Sequence, residues 1–290
     1  LLNGKSVFQR LVLDQGYYPD GVYTAPTDEA LQRDIQISMD AGFNGARLHQ
    51  KVFEPRFLYY CDKMGYLVWG EYGSWGINHS NFEVLPPMFR EWGEILARDY
   101  NHPSIIGWCP FNETFDYGGK KQSDDLIRII YQQTKTFDPT RPCIDTSGSY
   151  HIQTDIYDIH DYTQIPEAFA EVYGISDPVD MMECYSNKHW ESVKHSVPYR
   201  RGEPLFVSEY GGIKWDLNAG LDNAWGYGDA PKNETEFLER YQGLTDVLLD
   251  HPCMLGFCYT QLYDVEQETN GLYTYDRHPK FDMALFRRIN

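Results

Sequence analysis

The stretch Ile105-Ile106-Gly107-Trp108-Cys109-Pro110-Phe111 is an apolar run too short for a buried helix, and it gives way at once to Asn112-Glu113-Thr114. It reads as a buried strand that ends in an amide and a carboxylate. Helix-period segments flank it at 86–100 and 124–137, and the breakers His102-Pro103 and Asp138-Pro139 mark two of the junctions. A buried strand between helices is the unit of a parallel sheet, whose strands are covered on both faces and therefore read as continuous apolar runs.

Outward from this unit the same alternation recurs. Strands are expected at 7–13, 45–48, 66–71, 105–111, 143–146, 156–162, 205–209 and 254–262, and further helices at 29–41, 55–64 and 235–249. Eight strands with intervening helices over 290 residues match a closed (β/α)8 barrel, the TIM barrel of the α/β class, better than an open doubly wound sheet. The chain is expected to be one such domain, residues 1–290. No helix is read after 143–146, and the long polar connection 163–204 is expected to elaborate the loops at the C-terminal face of the barrel.

Composition narrows the function. At 42% hydrophobic and 23% charged residues the chain is an ordinary globular mixture, and a domain of this size buries roughly three quarters of the surface of its unfolded chain. With 25 Lys and Arg against 43 Asp and Glu, the formal charge is −18, which repels phosphate backbones and anionic membrane surfaces. Neither nucleic acid nor a membrane is an expected partner. The six cysteines lack a CxxC pair and mostly sit in apolar surroundings, as buried free thiols do. Aromatic residues make up 16%, a composition suited to sugar sites, where rings offer flat apolar faces with polar handles.

In a parallel barrel the chemistry gathers where the strands end. The strand ends here carry Arg47-Leu48-His49, Trp69-Gly70-Glu71, Asn112-Glu113, His160-Asp161-Tyr162 and Ser208-Glu209-Tyr210. A charged residue can simply mark the point where a strand meets water, but five polar endings together point to a site. Glu113 and Glu209 follow different strands yet face the same mouth. Two such carboxyl groups are what glycoside hydrolysis requires: one protonates the leaving oxygen, and the other either attacks the anomeric carbon or activates water.

Two stretches resemble the signatures of glycoside hydrolase family 2: Gly107-Trp108-Cys109-Pro110-Phe111-Asn112-Glu113-Thr114 and Phe206-Val207-Ser208-Glu209-Tyr210-Gly211-Gly212. The resemblance extends, in order, to Asn3-Gly4-Lys5, Gly42-Phe43-Asn44-Gly45-Ala46-Arg47, His102-Pro103-Ser104 and Asn270-Gly271-Leu272-Tyr273. It implies a retaining exo-β-glycosidase on a TIM barrel, most simply of β-galactosidase type, acting on a carbohydrate substrate. Carried over by position, it implies Glu113 as acid and base, Glu209 as nucleophile and Asn112 as donor to the sugar 2-hydroxyl. Arg47 and Tyr162 would flank the nucleophile. His160, Glu71 and Trp215 would contact substrate, and Tyr259 would offer an aromatic platform at the end of the last strand.

The departures are informative. Family β-glucuronidases bind the sugar carboxylate through an Asn-x-Lys motif, but this chain reads Glu268-Thr269-Asn270 there, which disfavours a glucuronide. No Glu-x-His follows the third strand, only Glu71-Tyr72-Gly73, so neither a metal nor any other cofactor is expected. Which of His49 and Gln50 matches the family histidine after the second strand is open, and so is the choice among β-galactosidase, β-mannosidase and α-L-arabinosidase. A carbohydrate-binding barrel without catalysis is countered by the two intact glutamates, and a metal-dependent hydrolase by the absence of ligand spacing. Because relatives place jelly-roll and immunoglobulin-like domains before this barrel, the chain reads as an excised piece. Compartment and homo-oligomerisation are left open.

Overall fold

A computed structural model describes residues 1–114, 121–189, 197–217 and 223–290. Its sheet contains β1 (Gln9–Asp14), β2 (Gly45–Leu48), β3 (Leu67–Glu71), β4 (Ile105–Cys109), β5 (Tyr157–Asp161), β6 (Leu205–Gly211) and β7 (Met254–Thr260). All pair in parallel, in the order β4-β3-β2-β1-β7-β6-β5. The eighth position, expected at 143–146, lies between β4 and β5 as an irregular segment rather than a regular strand. Trp108 N–H reaches the Pro142 carbonyl at 3.0 Å, Ile144 N–H the Trp108 carbonyl at 3.0 Å and Ser147 N–H the Phe111 carbonyl at 2.9 Å. On its other side one backbone bond remains, from Asp155 N–H to the Cys143 carbonyl at 3.0 Å, and side chains supply the rest: Cys143 N–H donates to Asp155 Oδ2 at 2.9 Å and Ser147 Oγ to Asp158 Oδ2 at 2.6 Å. Pro142 has no N–H to give, and aspartate side chains compete with backbone pairing, so this edge never becomes a regular strand. The TIM barrel is closed all the same.

The helices fall where periodicity placed them: α1 (Asp28–Asp40), α2 (Pro55–Met64), α3 (Leu85–Asp99), α4 (Asp124–Phe137) and α7 (Glu234–Asp250). Side-chain caps set three of their starts, with Thr27 accepting from Ala30, Ser123 from Leu126 and Asn233 from Glu236, while prolines stand in the first turns of α2 and α3. Among the described residues, three further α-helices appear. The connection after β5 folds into α5 (Pro166–Tyr173) and α6 (Pro178–His189), and α8 (Met283–Ile289) ends the chain. Polar residues disguised α6, whose Met181, Met182 and Tyr185 are nevertheless buried. Among the described residues, no helix is long and apolar enough to cross a membrane. All six cysteines are free, and four of them are buried.

Alternation along the strands separates two cores. Leu11, Leu13, Trp69, Ile144, Phe206 and Cys258 fill the barrel, with Trp69 stacked on Phe206 at 6.1 Å. Their neighbours face the helices, as Trp108 does against Trp92 of α3. Two glycines make room for the large rings on adjacent strands. A Cβ on Gly70 would stand 2.7 Å from the Trp108 ring, and one on Gly107 2.4 Å from the Trp69 ring. This nesting fixes β3 against β4, directly below Glu71 and Asn112-Glu113. Gly107→Ala should therefore destabilise the fold by about 1–3 kcal/mol, the usual cost of overpacking, as read by denaturant unfolding. An unchanged midpoint would mean that the tryptophan yields freely.

Candidate active site

Arg47, at the end of β2, is fully buried and holds the site together. Its Nε donates to Glu71 Oε1 at 2.8 Å, Nη1 to Glu209 Oε1 at 3.0 Å and to the Ser208 carbonyl at 2.8 Å, and Nη2 to Asn112 Oδ1 at 3.1 Å. One guanidinium thus ties together the ends of β2, β3 and β6 and the segment after β4. Burial works against its charge, but Glu71 and Glu209 more than offset this and raise its pKa well above the ordinary value.

Glu209 reaches the mouth through an irregularity. Phe206 faces the barrel interior and Val207 the helices, so strict alternation would turn Glu209 outward and Tyr210 inward. A register shift between Val207 and Tyr210 lets Ser208 and Glu209 both face inward and sends Tyr210 out to the helix layer, where its hydroxyl meets Thr245. Bulges beside active sites commonly re-aim a side chain in this way. Glu209 is buried, and burial alone would raise its pKa. The neighbouring His160, His49 and Arg47, together with the Tyr162 hydroxyl, outweigh that and hold it at about 2. Tyr162 donates to Glu209 Oε2, and its ring stacks flat on Tyr227 at 3.4 Å.

Glu113 follows β4 and stands opposite the irregular segment. Its φ is +47°, a conformation that costs a non-glycine residue about 1–3 kcal/mol, and its N–H donates to the Ser147 carbonyl at 2.9 Å. Between the two glutamates lies His160. Its Nδ1 is 2.7 Å from Glu113 Oε1, and its Nε2 is 3.0 Å from Ser147 Oγ and 3.4 Å from Glu209 Oε1. Burial opposes its protonation, but Glu209 and Glu113 raise its pKa above the ordinary value. One oxygen of each glutamate and one imidazole nitrogen lie within 4.8 Å of one another. These donors are close enough to hold a cation, but only by engaging both carboxylates.

Several expected substrate contacts take other positions. Glu71 is only 3% exposed, and its oxygens are taken by Arg47 and by the Gln50 N–H at 3.0 Å, so it supports Arg47 from below. His160 has both nitrogens engaged with protein groups and is not free to reach a sugar hydroxyl. Tyr259 offers no platform. Cys258 faces the interior, so Tyr259 points outward, fully buried against Tyr210 and Tyr241. Trp215 packs on Phe237 and Phe281, where its ring serves the outer core.

Conversely, His49 proves to be part of the cluster, with Nδ1 3.4 Å from Glu71 and 3.8 Å from Glu209. Its position after Arg47 at the end of a strand was the available signal. Tyr227, on a distant loop, carried none. Asn112 is buried with Oδ1 held by Arg47, which leaves its NH2 end for the cleft that it lines with Glu113. Glu268 accepts from Gln15 Nε2 at 2.9 Å and Asn270 Nδ2 at 3.2 Å. Burial raises its pKa, the Glu209 charge adds to that, and the His49 charge opposes it, which places Glu268 in the electrostatic reach of the mouth.

The sequence pattern of glycosyl hydrolases family 2, TIM barrel domain, matches residues 24–289. A β-galactosidase of Lactococcus lactis is 27% identical over 233 residues, 77% of this chain and 21% of that protein. One from Vibrio vulnificus is 30% identical over 240 residues, again 77% of this chain and 20% of that protein. The chain thus spans about a fifth of the length of these relatives. Among solved structures, a β-glucuronidase from Ruminococcus gnavus superposes with a TM-score of 0.76 at 19% identity, covering 100% of this chain and 50% of that one. A β-galacturonidase from Eisenbergiella tayi gives a TM-score of 0.72 at 19% identity, covering 100% of this chain and 52% of that one. Likeness at that identity is a likeness of fold, whereas the family pattern runs through nearly the whole barrel, and the chain belongs to glycoside hydrolase family 2.

Proposed function

We propose that this chain is the catalytic barrel of a retaining exo-β-glycosidase that releases a neutral terminal sugar, with β-galactosides as its first substrates. The observation that carries the retaining reading is the pair of carboxylate oxygens, one from Glu113 and one from Glu209, within 4.8 Å of each other. Retaining enzymes keep their carboxyl groups roughly 5–5.5 Å apart, whereas inverting ones leave roughly 6.5–9.5 Å for a water. The β-galactosidase relatives support the choice of sugar, and Glu268 argues against a uronide, whose carboxylate would meet another carboxylate.

In this reading Glu209, kept ionised by Arg47 and its other neighbours, attacks the anomeric carbon. Glu113 gives its proton to the departing oxygen and afterwards takes one from the water that releases the sugar. Asn112 offers its NH2 to the 2-hydroxyl. Tyr162, whose pKa burial and Glu209 raise well above the ordinary value, stays neutral and donates to the nucleophile. A panel of nitrophenyl β-galactoside, β-glucoside, β-mannoside, β-glucuronide and α-arabinoside tests the sugar. Fastest turnover of the glucuronide would overturn the neutral-sugar reading.

The two glutamates should respond differently to azide. Glu113→Ala should lose about 10²–10⁴-fold with poor leaving groups but keep its first step with dinitrophenyl glycosides, azide accelerating turnover to a β-glycosyl azide. Glu209→Ala should give at most an α-glycosyl azide. The reverse pattern, read by product analysis, would exchange their roles.

Acid tolerance follows from the groups around Glu209: His160 and His49 first, then Arg47 and the Tyr162 hydroxyl. With Glu209 held at about 2 instead of its usual 4.5, the acid limb of kcat/KM should lie near pH 2. Its folding contribution is present above 4.5 and is lost as pH falls through about 2. Arg47→Gln removes a positive neighbour, so the limb should move to higher pH, whereas Arg47→Lys keeps the charge and should leave it low. An acid limb unmoved in both variants would show that Arg47 does not set the ionisation of Glu209.

A further inference from the structure

The turn between β3 and α3 presents an aromatic ring that the chemistry above leaves unused. Trp75 is 75% exposed, and among the described residues no other ring packs on it. A large apolar side chain left in water at the rim of a site is informative in a way that scattered surface residues are not. Trp75 lines a cleft of about 610 Å³ together with Gln50, Ile77, Asn78, His79, Asn112 and Glu113, a size in the usual range of roughly 300–1,000 Å³ for small-ligand sites.

The turn is anchored at both ends. Ser74 Oγ donates to Gln50 Oε1 at 3.1 Å and Ile77 N–H to the Ser74 carbonyl at 3.2 Å. At its far end the His79 carbonyl accepts from Ser123 N–H at 2.7 Å, and the His79 ring stands edge-on to Phe111 at 5.6 Å. Gly76, at φ +79°, allows the reversal at the tip. The ring is therefore carried on a braced support above the residue that the proposed mechanism uses to protonate the leaving oxygen.

The lining also states what would sit there. Glu113 apart, no described lining residue is charged at neutral pH, because burial pushes the His79 imidazole down to about 4. Gln50 has its Oε1 occupied by Ser74, which leaves its NH2 as a donor, and Asn78 has its Oδ1 occupied by Ser80 at 2.7 Å, which does the same. Amide donors around a flat apolar face match a ring that bears hydroxyls on its edge, and a purely aromatic ring would leave them unanswered.

We propose that Trp75, with Gln50 and Asn78, forms the subsite for the leaving group, and that this subsite takes a neutral pyranose. The inference rests on the assignment of Glu113 as the acid, since it locates the departing half of the substrate on that side of the mouth. The β-galactosyl portion is the same in every substrate of the test, so only the leaving side varies.

The test compares methyl β-galactoside, nitrophenyl β-galactoside and a galactosyl-glucose disaccharide in the purified protein, Trp75→Ala and Trp75→Phe. Trp75→Ala should lower kcat/KM for the disaccharide about tenfold more than for the methyl glycoside, chiefly through KM, and Trp75→Phe should recover most of that loss. Glucose added to the nitrophenyl reaction should divert product from hydrolysis to disaccharide in the unaltered protein, and at least fivefold less in Trp75→Ala. Equal losses on all three substrates would mean a merely structural role and would overturn the inference. A loss confined to the nitrophenyl substrate would overturn the pyranose assignment, because the subsite would then take an aryl group. If the unaltered protein cleaves none of the five nitrophenyl glycosides, the proposed function itself fails, and this inference with it.

Discussion

A buried guanidinium organises the mouth of this barrel. Arg47 is entirely out of water, and such a charge is tolerated only when its partners compensate it from several directions. Here they come from Glu71, Glu209, Asn112 and the Ser208 carbonyl, so the compensation doubles as a geometric constraint on four neighbouring parts of the barrel. The irregularity in β6 that turns Glu209 inward and the left-handed backbone of Glu113 are both local costs. They persist because the Arg47 network and the Ser147 pairing leave the chain little alternative. The same network separates the carboxylates by environment: Glu71 and Glu209 lie against a permanent cation, while Glu113 lies against the titratable His160.

Much of this was legible in the residues, and the exceptions have physical causes. Strand positions followed from short apolar runs, and all five expected helices lay within a residue of the observed ones at both ends, because capping residues and prolines mark them. The segment at 143–146 was located correctly, but its side-chain pairing to Asp155 and Asp158 depends on residues more than ten positions away. For the site, motif and strand end coincide at Glu113, Glu209, Asn112, Arg47 and Tyr162, and the structure brings these five side chains together. Tyr259 was misplaced for a different reason. An aromatic residue near a strand end reads the same on either face, and only the parity of the strand, with Cys258 inward, turns it to the helices. The position of His160 between two carboxylates was equally hidden, since it depends on the pairing of His160 with Glu209 across a shifted register.

The overall charge of −18 and the local arrangement act on different scales. Long-range repulsion discourages anionic ligands from approaching, and Glu268 extends the same preference into the mouth itself. Within a few ångströms, however, the positive groups hold Glu209 ionised. A neutral sugar meets neither obstacle. The exposed ring of Trp75 and the donors beside it form a further uncharged surface on the same side as Glu113.

The irregular segment between β4 and β5 has a consequence for how the molecule comes apart. Regular ladders distribute strain over many equivalent hydrogen bonds, whereas this seam depends on a handful of backbone pairs and on the side chains of Asp155, Asp158 and Ser147. Local openings begin where such support is thinnest. The seam also sets the backbone of Glu113 and, through Ser147, touches His160. On warming, the barrel would then unzip first at the place where its chemistry is assembled, so that inactivation runs ahead of melting.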